Sequence, residues 1–373
     1  MIYLDNAATS WPKPPQVIRA VTGTLEQPFG NPGRGGHQAA LRAGRVATTC
    51  REAAAQLLGV PPERVIFTLN CTDALNLALR GILHRGDHVL VTHDAHNAVM
   101  RPLAGMERRG EITLSVLRAG EDGLILPEAI DEAVTPSTAL CVFTHASNVT
   151  GVVQPVAELT QAAHRYGLPV LVDAAQTAGV LPLDALGADM IAMPGHKGLL
   201  GPMGTGLLYV GEHVSLRPVR EGGTGSASES VHQPDLLPDR YESGTLQLPA
   251  LAGLLQGIRF VQAHGSAIHA YETLLIDALR RRLEALPGVT VYGSGQTPHV
   301  GVLSFNLKGQ ETAQTADQLD RLGFCLRGGL HCAPCMHHWL GTQGTVRASV
   351  GPFTTEKEIA ALGDAVEKLS RES

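Results

Sequence analysis

The sequence is short of several things. It holds 373 residues with only six cysteines, too sparse for a disulfide scaffold. No apolar run approaches the roughly 18 residues that a membrane helix needs. The opening Met1-Ile2-Tyr3-Leu4-Asp5 has neither the basic region nor the apolar region of a secretory signal. A cytoplasmic location with free thiols is therefore expected, and no membrane partner. Positive charge is also scarce: 29 Lys and Arg face 35 Asp and Glu, a formal charge of −6. Non-specific nucleic-acid binding needs clustered positive charge, so no nucleic-acid partner is expected. The 42 glycines and 23 prolines fall short of the roughly 25–30% that marks low complexity. With 44% hydrophobic residues, the chain has material for a core.

The scarcest informative residue is lysine. Only Lys13, Lys197, Lys308, Lys357 and Lys368 occur, and every other basic residue is arginine. Lys197 lies alone between Lys13 and Lys308, within Met193-Pro194-Gly195-His196-Lys197-Gly198-Leu199-Leu200-Gly201. Arginine stays protonated, whereas a lysine amine can lose its proton and condense with a carbonyl. Chance placement explains this count alone equally well; the surrounding pattern decides.

Short apolar runs alternate with helical patterns. Val65–Leu69, Asp87–Val91, Ile112–Val116, Ala139–Thr144, Pro169–Asp173 and Asp189–Met193 read as strands. Asp73–Leu83, Val99–Arg109, Pro127–Ala133 and Val156–Tyr166 read as helices between them. This alternation predicts an α/β fold with a mainly parallel, doubly wound sheet. It fills residues 15–250, a large domain, and lapses into an extended loop over Glu221–Thr245. A long helix over Ala250–Leu286 leads to a smaller α+β domain, residues 251–373 together with 1–14, with strands near Val300–Phe305 and Thr345–Val350.

Ligands bind at the carboxyl ends of such strands. There the sequence places Asn70-Cys71-Thr72-Asp73, a helix start with free N–H groups for an anion, capped by Asn70 or Thr72. It places His93-Asp94-Ala95-His96, His145-Ala146-Ser147-Asn148, Asp173-Ala174-Ala175-Gln176, and Lys197. Singly, each has an ordinary structural explanation as a cap or a satisfied buried group. Together they offer an anion cradle, a carboxylate, an amine, an imidazole and an amide, the set that pyridoxal phosphate requires. A nicotinamide site fits worse, because G-x-G-x-x-G is missing after the first strand and Gly204-Thr205-Gly206 is a fragment of it. Gly195-His196-Lys197-Gly198 lacks the spacing and the Ser/Thr of a Walker A loop.

A second chemical feature is Arg327-Gly328-Gly329-Leu330-His331-Cys332-Ala333-Pro334-Cys335-Met336-His337-His338. Gly328 and Gly329 suggest a pliable loop. His331 and Arg327 beside Cys332 suggest a thiol of lowered pKa. Cys332, Cys335, His337 and His338 are also zinc-ligand types, but they come from one short segment with no second C-x-x-C pair. A redox couple is a further minority reading. Cys50, Cys71, Cys141 and Cys325 read as core or strand residues.

These motifs, in this order, resemble the cysteine desulfurases of the class V aminotransferase fold. The resemblance begins at Tyr3-Leu4-Asp5-Asn6-Ala7-Ala8-Thr9 and Asn31-Pro32-Gly33-Arg34-Gly35-Gly36-His37. It runs through Ser147–Gly151, Val172–Gln176 and Gly195-His196-Lys197 to Arg240–Thr245, the Cys332 segment and Val346–Ser349. It implies the pyridoxal-phosphate transferase fold type I. It further implies that Lys197 holds the cofactor and moves a proton, Asp173 pairs with the ring nitrogen, Gln176 touches the phenolic oxygen and His96 stacks on the ring. Cys71, Thr72 and His196 would hold the phosphate, and Thr245 would reach the phosphate of a neighbouring subunit, implying a homodimer with shared sites. Arg347 would fork onto the substrate carboxylate, with Asn148 and Arg327 nearby. Cys332 would accept sulfur from cysteine, leaving alanine and a persulfide for an acceptor protein. The sequence departs from the family at Pro194, where a phosphate-binding Ser or Thr is usual, and at Cys335. Selenocysteine lyase, cysteine-sulfinate desulfinase or another C–S lyase are alternatives on the same fold. A non-catalytic sulfur carrier or zinc-binding protein is the alternative of another class, disfavoured by the joint presence of Lys197, Asp173, His96 and Arg347.

Overall fold

The computed structural model describes residues 1–33 and 35–372, so Arg34 of the Asn31–His37 motif lies outside the described residues. Thirteen strands are described: β1 (Ile2–Tyr3), β2 (Val65–Thr68), β3 (His88–Thr92), β4 (Thr113–Leu117), β5 (Thr138–Thr144), β6 (Val170–Asp173), β7 (Met190–Pro194), β8 (Gly206–Val210), β9 (Val289–Tyr292), β10 (Val302–Leu307), β11 (Phe324–Cys325), β12 (Arg327–Gly329) and β13 (Thr345–Ser349). The helices are α1 (Pro15–Glu26), α2 (Gln38–Leu58), α3 (Cys71–Ile82), α4 (Asn97–Arg108), α5 (Glu128–Ala133), α6 (Val156–His164), α7 (Leu248–Glu284), α8 (Thr312–Arg321), α9 (Pro334–Trp339) and α10 (Glu356–Glu372).

Seven strands form the main sheet in the order β2-β8-β7-β6-β5-β3-β4. All run parallel except β8, which is antiparallel to both neighbours. Every residue of β2, β3, β6 and β7 is buried, because helices cover both faces of the sheet and leave no solvent side. One apolar layer joins Val170, Val172, Phe143 and Leu254, and the other joins Leu75, Val89, Val91 and Leu171. The second sheet, β12-β13-β10-β9, is antiparallel and has its own core of Leu279, Leu303, Phe305 and Val366. β1 pairs with β11 in a separate two-stranded sheet, and the Ser349 amide of β13 donates to the Leu4 carbonyl at 2.7 Å, which ties the amino terminus to the second sheet.

Two expectations need correction. β8 escapes the sequence reading, because Gly206–Val210 follows the glycine-rich turn with no intervening helix. Arg327–Gly329 is a strand rather than a pliable loop, with Arg327 paired to Arg347. A Cβ on Gly328 would sit 2.9 Å from the Thr312 carbonyl, so close approach of α8 explains that glycine.

The 37-residue α7 touches both sheets' supporting helices. Its Gly257 presses onto the turn after Lys197, where an added Cβ would lie 2.2 Å from the Leu199 carbonyl. The irregular segment over 221–245 is fixed at its end by Glu242. The Glu242 carboxylate takes both Arg51 guanidinium arms, at 2.6 and 2.9 Å, and the Phe67 amide at 2.6 Å. Both side chains are largely buried. Replacing Glu242 by alanine leaves Arg51 buried and unpaired, which should cost about 3–5 kcal/mol. Urea unfolding would check this against Glu367→Ala, whose pairs with Arg282 and Arg371 involve exposed arginines and should cost about 1 kcal/mol or less.

Candidate active site

The strand ends of the main sheet meet at one cavity enclosing about 550 Å³ of empty space, its mouth included. Cys71, Thr72, His96, Asn148, Asp173, Gln176, His196, Lys197 and Pro194 line it. Lys197 and His196 follow β7, Asp173 ends β6, Asn148 follows β5, and His96 follows β3.

α3 begins at this cavity. Asn70, not Thr72, caps it: the Asn70 side chain accepts from the Asp73 amide at 2.9 Å. The amides of Cys71 and Thr72 make no hydrogen bond among the described residues, leaving two donors and the positive helix end for an anion. Pro194 lines the same region and adds no donor.

Asp173 is 3% exposed. Its Oδ1 accepts from the Ala175 amide at 2.9 Å and from the Cys71 thiol at 3.6 Å, while Oδ2 has no protein partner among the described residues. Burial pushes the carboxyl pKa up, against the lowering pull of the Ala175 amide and of Lys197. Burial likewise pushes the Lys197 amine pKa down, against Cys71 and Asp173, which raise it. Cys71 is buried in the apolar layer with Leu75 and Val89, as a core residue should be, and from there its thiol is turned to the carboxylate. It opens α3, where its amide serves the anion end and its side chain serves Asp173.

His96 caps α4 by accepting the Ala98 amide at Nδ1, 3.0 Å away. Burial first, then the cations Lys197, Arg327 and Arg347, hold its pKa down at about 4. His196 is held at about 4 by burial, Lys197 and Lys13. Both imidazoles are therefore neutral near pH 7. Gln176 donates to the Ala7 carbonyl at 3.2 Å, bringing the amino-terminal segment to the cavity.

Arg347 is 1% exposed. Nη2 donates to Asp5 at 2.7 Å, Nη1 to the Asn148 carbonyl at 3.0 Å, and Nε has no partner among the described residues. An unpaired N–H on a buried guanidinium is a donor awaiting an acceptor. Asp5 is a residue that the sequence reading missed, because its partner lies 342 positions away.

Cys332 is tied to the same wall. The Asn148 amide donates to the His331 carbonyl at 2.7 Å, and the Asn97 amide to the Cys332 carbonyl at 2.7 Å. His331 and Cys332 both take positive φ, 47° and 58°, a conformation that side chains resist and that the two clamps hold. Arg327 Nη2 stands 3.6 Å from the sulfur. His331 supplies no charge there, contrary to expectation: its Nε2 bonds Thr345, and burial pushes its pKa down to about 3. Among the described residues no group of three or more His, Cys, Asp or Glu is placed to hold a metal. Thr245 lines a different hollow beside Glu242 and is not brought to the Lys197 cavity within one chain.

The arrangement can seat an anion at α3, a protonated ring nitrogen at Asp173 and a carbonyl carbon at Lys197. The sequence matches the family description Aminotransferase class-V over residues 2–362. The chain belongs to that family. A relative from Methanothermobacter thermautotrophicus, named probable cysteine desulfurase, is 36% identical over 99% of this chain and 94% of its own. Another of that name from Halalkalibacterium halodurans is 33% identical over 99% and 93%. The apo structure of the cysteine desulfurase from Thermococcus onnurineus NA1 superposes with a TM-score of 0.94 at 30% identity, covering 100% of this chain and 95% of that one. The architecture is accordingly the fold type I of this family.

Thiol chemistry gives a test of the class-V site. Burial pushes Cys50 and Cys141 up to about 12 and raises Cys71 and Cys335 as well. Limited alkylation of the folded protein at pH 7.5 should mark Cys332 before any of these four, and peptide mass spectrometry would read the order.

Proposed function

We infer that this chain is a pyridoxal-phosphate-dependent cysteine desulfurase, converting L-cysteine to L-alanine and retaining the sulfur as a persulfide on Cys332. One observation carries the reading. A cysteine in a strained conformation is clamped by Asn97 and Asn148 to the wall of the cavity that holds Lys197.

The residues fit the cofactor: Asp173 keeps an oxygen free for a ring N–H, and two free amides open α3 toward a phosphate. When bound, pyridoxal phosphate supplies an electron sink for the substrate's α-carbon. Asp173 keeps the ring nitrogen protonated, and Cys71 and Ala175 steady the carboxylate from behind. His96, neutral, covers the ring face. Thr72 and His196 complete the phosphate pocket beside Pro194. Lys197 would anchor the cofactor and would carry the α-proton. Burial lowers the pKa of its amine, so it gives a proton up more readily than an exposed lysine does. Arg347 offers its free Nε edge to the substrate carboxylate, with Asn148 alongside. The Cys332 sulfur, with its proton removed, would attack the substrate sulfur; the S–S bond forms as the C–S bond breaks, its electron pair stays on the β-carbon, and that carbon takes up a proton to become the methyl group of alanine.

We read residues 15–250 as the cofactor-holding unit, and 1–14 with 251–373 as the unit presenting Arg347 and Cys332. A homodimer in which Thr245 serves the neighbouring site, a protein acceptor for the sulfur and a cytoplasmic location belong to the same proposal. Among the described residues no helix is long and apolar enough to cross a membrane.

Cys332→Ala should keep the cofactor's colour and lose alanine formation from cysteine by more than about 100-fold. Parallel incubations with cysteine, cystine and selenocysteine, assayed for alanine, pyruvate and sulfide, check it. Undiminished turnover of cysteine would remove Cys332 from the chemistry. Retained selenocysteine cleavage alone would point to a lyase, and pyruvate in place of alanine to β-elimination.

A further inference from the structure

Lys197 is one of two lysines that the fold takes in. Lys308, Lys357 and Lys368 are exposed. Lys13 is half-buried, and its ammonium donates to the Ser10 hydroxyl at 2.7 Å and to the His196 carbonyl at 2.8 Å. It makes no ion pair among the described residues. A shielded cation without an acid costs desolvation, so its contact with a peptide carbonyl calls for a reason. Burial lowers its amine to about 8.

The carbonyl in question belongs to the His196–Lys197 peptide. It also accepts from the Ser10 amide at 3.1 Å and stands 3.2 Å from the Thr9 hydroxyl and 3.0 Å from the Ser10 hydroxyl. The Ser10 hydroxyl is equally close, 3.0 Å, to the Lys197 carbonyl. Gly195 and Gly198 flank this turn, and neither contributes a side chain to fix it. A compact ammonium converges on two oxygens here, where a longer planar guanidinium does not fit the same point. That agrees with a sequence that otherwise prefers arginine.

We propose that Lys13 is a positioning residue for Lys197: residues 9–13 form a strap whose ammonium and hydroxyls fix the His196–Lys197 peptide, and thereby the place of the reactive amine. The proposal rests on Lys197 being that amine.

The test uses the full chain. Lys13→Met should lower kcat for cysteine about tenfold and leave KM within about twofold, since a small misplacement of a reacting group affects the chemical step. Pyridoxal phosphate added to cofactor-stripped protein should be trapped by borohydride on Lys197 about tenfold more slowly. A purely structural staple would lower the melting temperature and move neither value in the folded protein. Ser10→Ala should behave similarly, and the double variant should be no slower than Lys13→Met, because both act through one carbonyl. If Lys13→Met does not fold, Ser10→Ala and Lys13→Arg are expected to slow trapping in the same way. Wild-type kcat and trapping in the folded variants, or losses that multiply in the double variant, overturn the proposal. Borohydride labelling of wild type at a residue other than Lys197 would instead reject the reading of Lys197 itself.

Discussion

The buried guanidinium of Arg347 is the interaction on which the site depends. A charge this deep must be paired, and its partners come from far apart in the chain. Asp5 reaches it from the segment after β1, and the Asn148 carbonyl from the end of β5 in the main sheet, while Arg347 itself stands on β13 of the second sheet. Pairing this one side chain therefore joins three parts of the chain at the cavity. Asn148 extends the link by holding the His331 carbonyl, and Asn97 completes it at Cys332. Loss of either sheet's register would leave both the guanidinium and the thiol without their supports.

Charge is distributed unevenly around this link. The cavity's imidazoles are neutral, so positive charge comes from Arg327, Arg347 and Lys197, with Asp173 opposing them from the floor. Burial works against charge on both Asp173 and Lys197, and each relieves the other. An environment that suits neither ion alone is suited to passing a proton.

Much of this was legible in the sequence for a simple reason. Parallel strands buried on both faces must be continuous apolar runs, so Val65–Thr68, His88–Thr92, Val170–Asp173 and Met190–Pro194 announce themselves. In such a sheet the residues just past each strand share one edge. That is why Cys71, His96, Asn148, Asp173 and Lys197 could be grouped without coordinates. The long helix was placed within two residues of Leu248–Glu284 at each end. What stayed hidden was set by distant contacts. Nothing local reveals that Asp5 meets Arg347, that Ser10 and Lys13 reach the His196 carbonyl, or that the Cys71 thiol faces Asp173. Arg327–Gly329 misled because glycine suggests freedom, whereas here it admits α8 against a paired strand.

The tethering of Cys332 has a mechanical consequence. The strand that leads to it, β12, is hydrogen-bonded to β13, and the carbonyls on either side of its amide are both held. A sulfur atom mounted this way has the reach of its own side chain and little more. It cannot serve as a swinging arm. If Cys332 carries sulfur as proposed, whatever removes that atom has to come to it, so the shape of the doorway, rather than the stroke of a lever, would select the visitor.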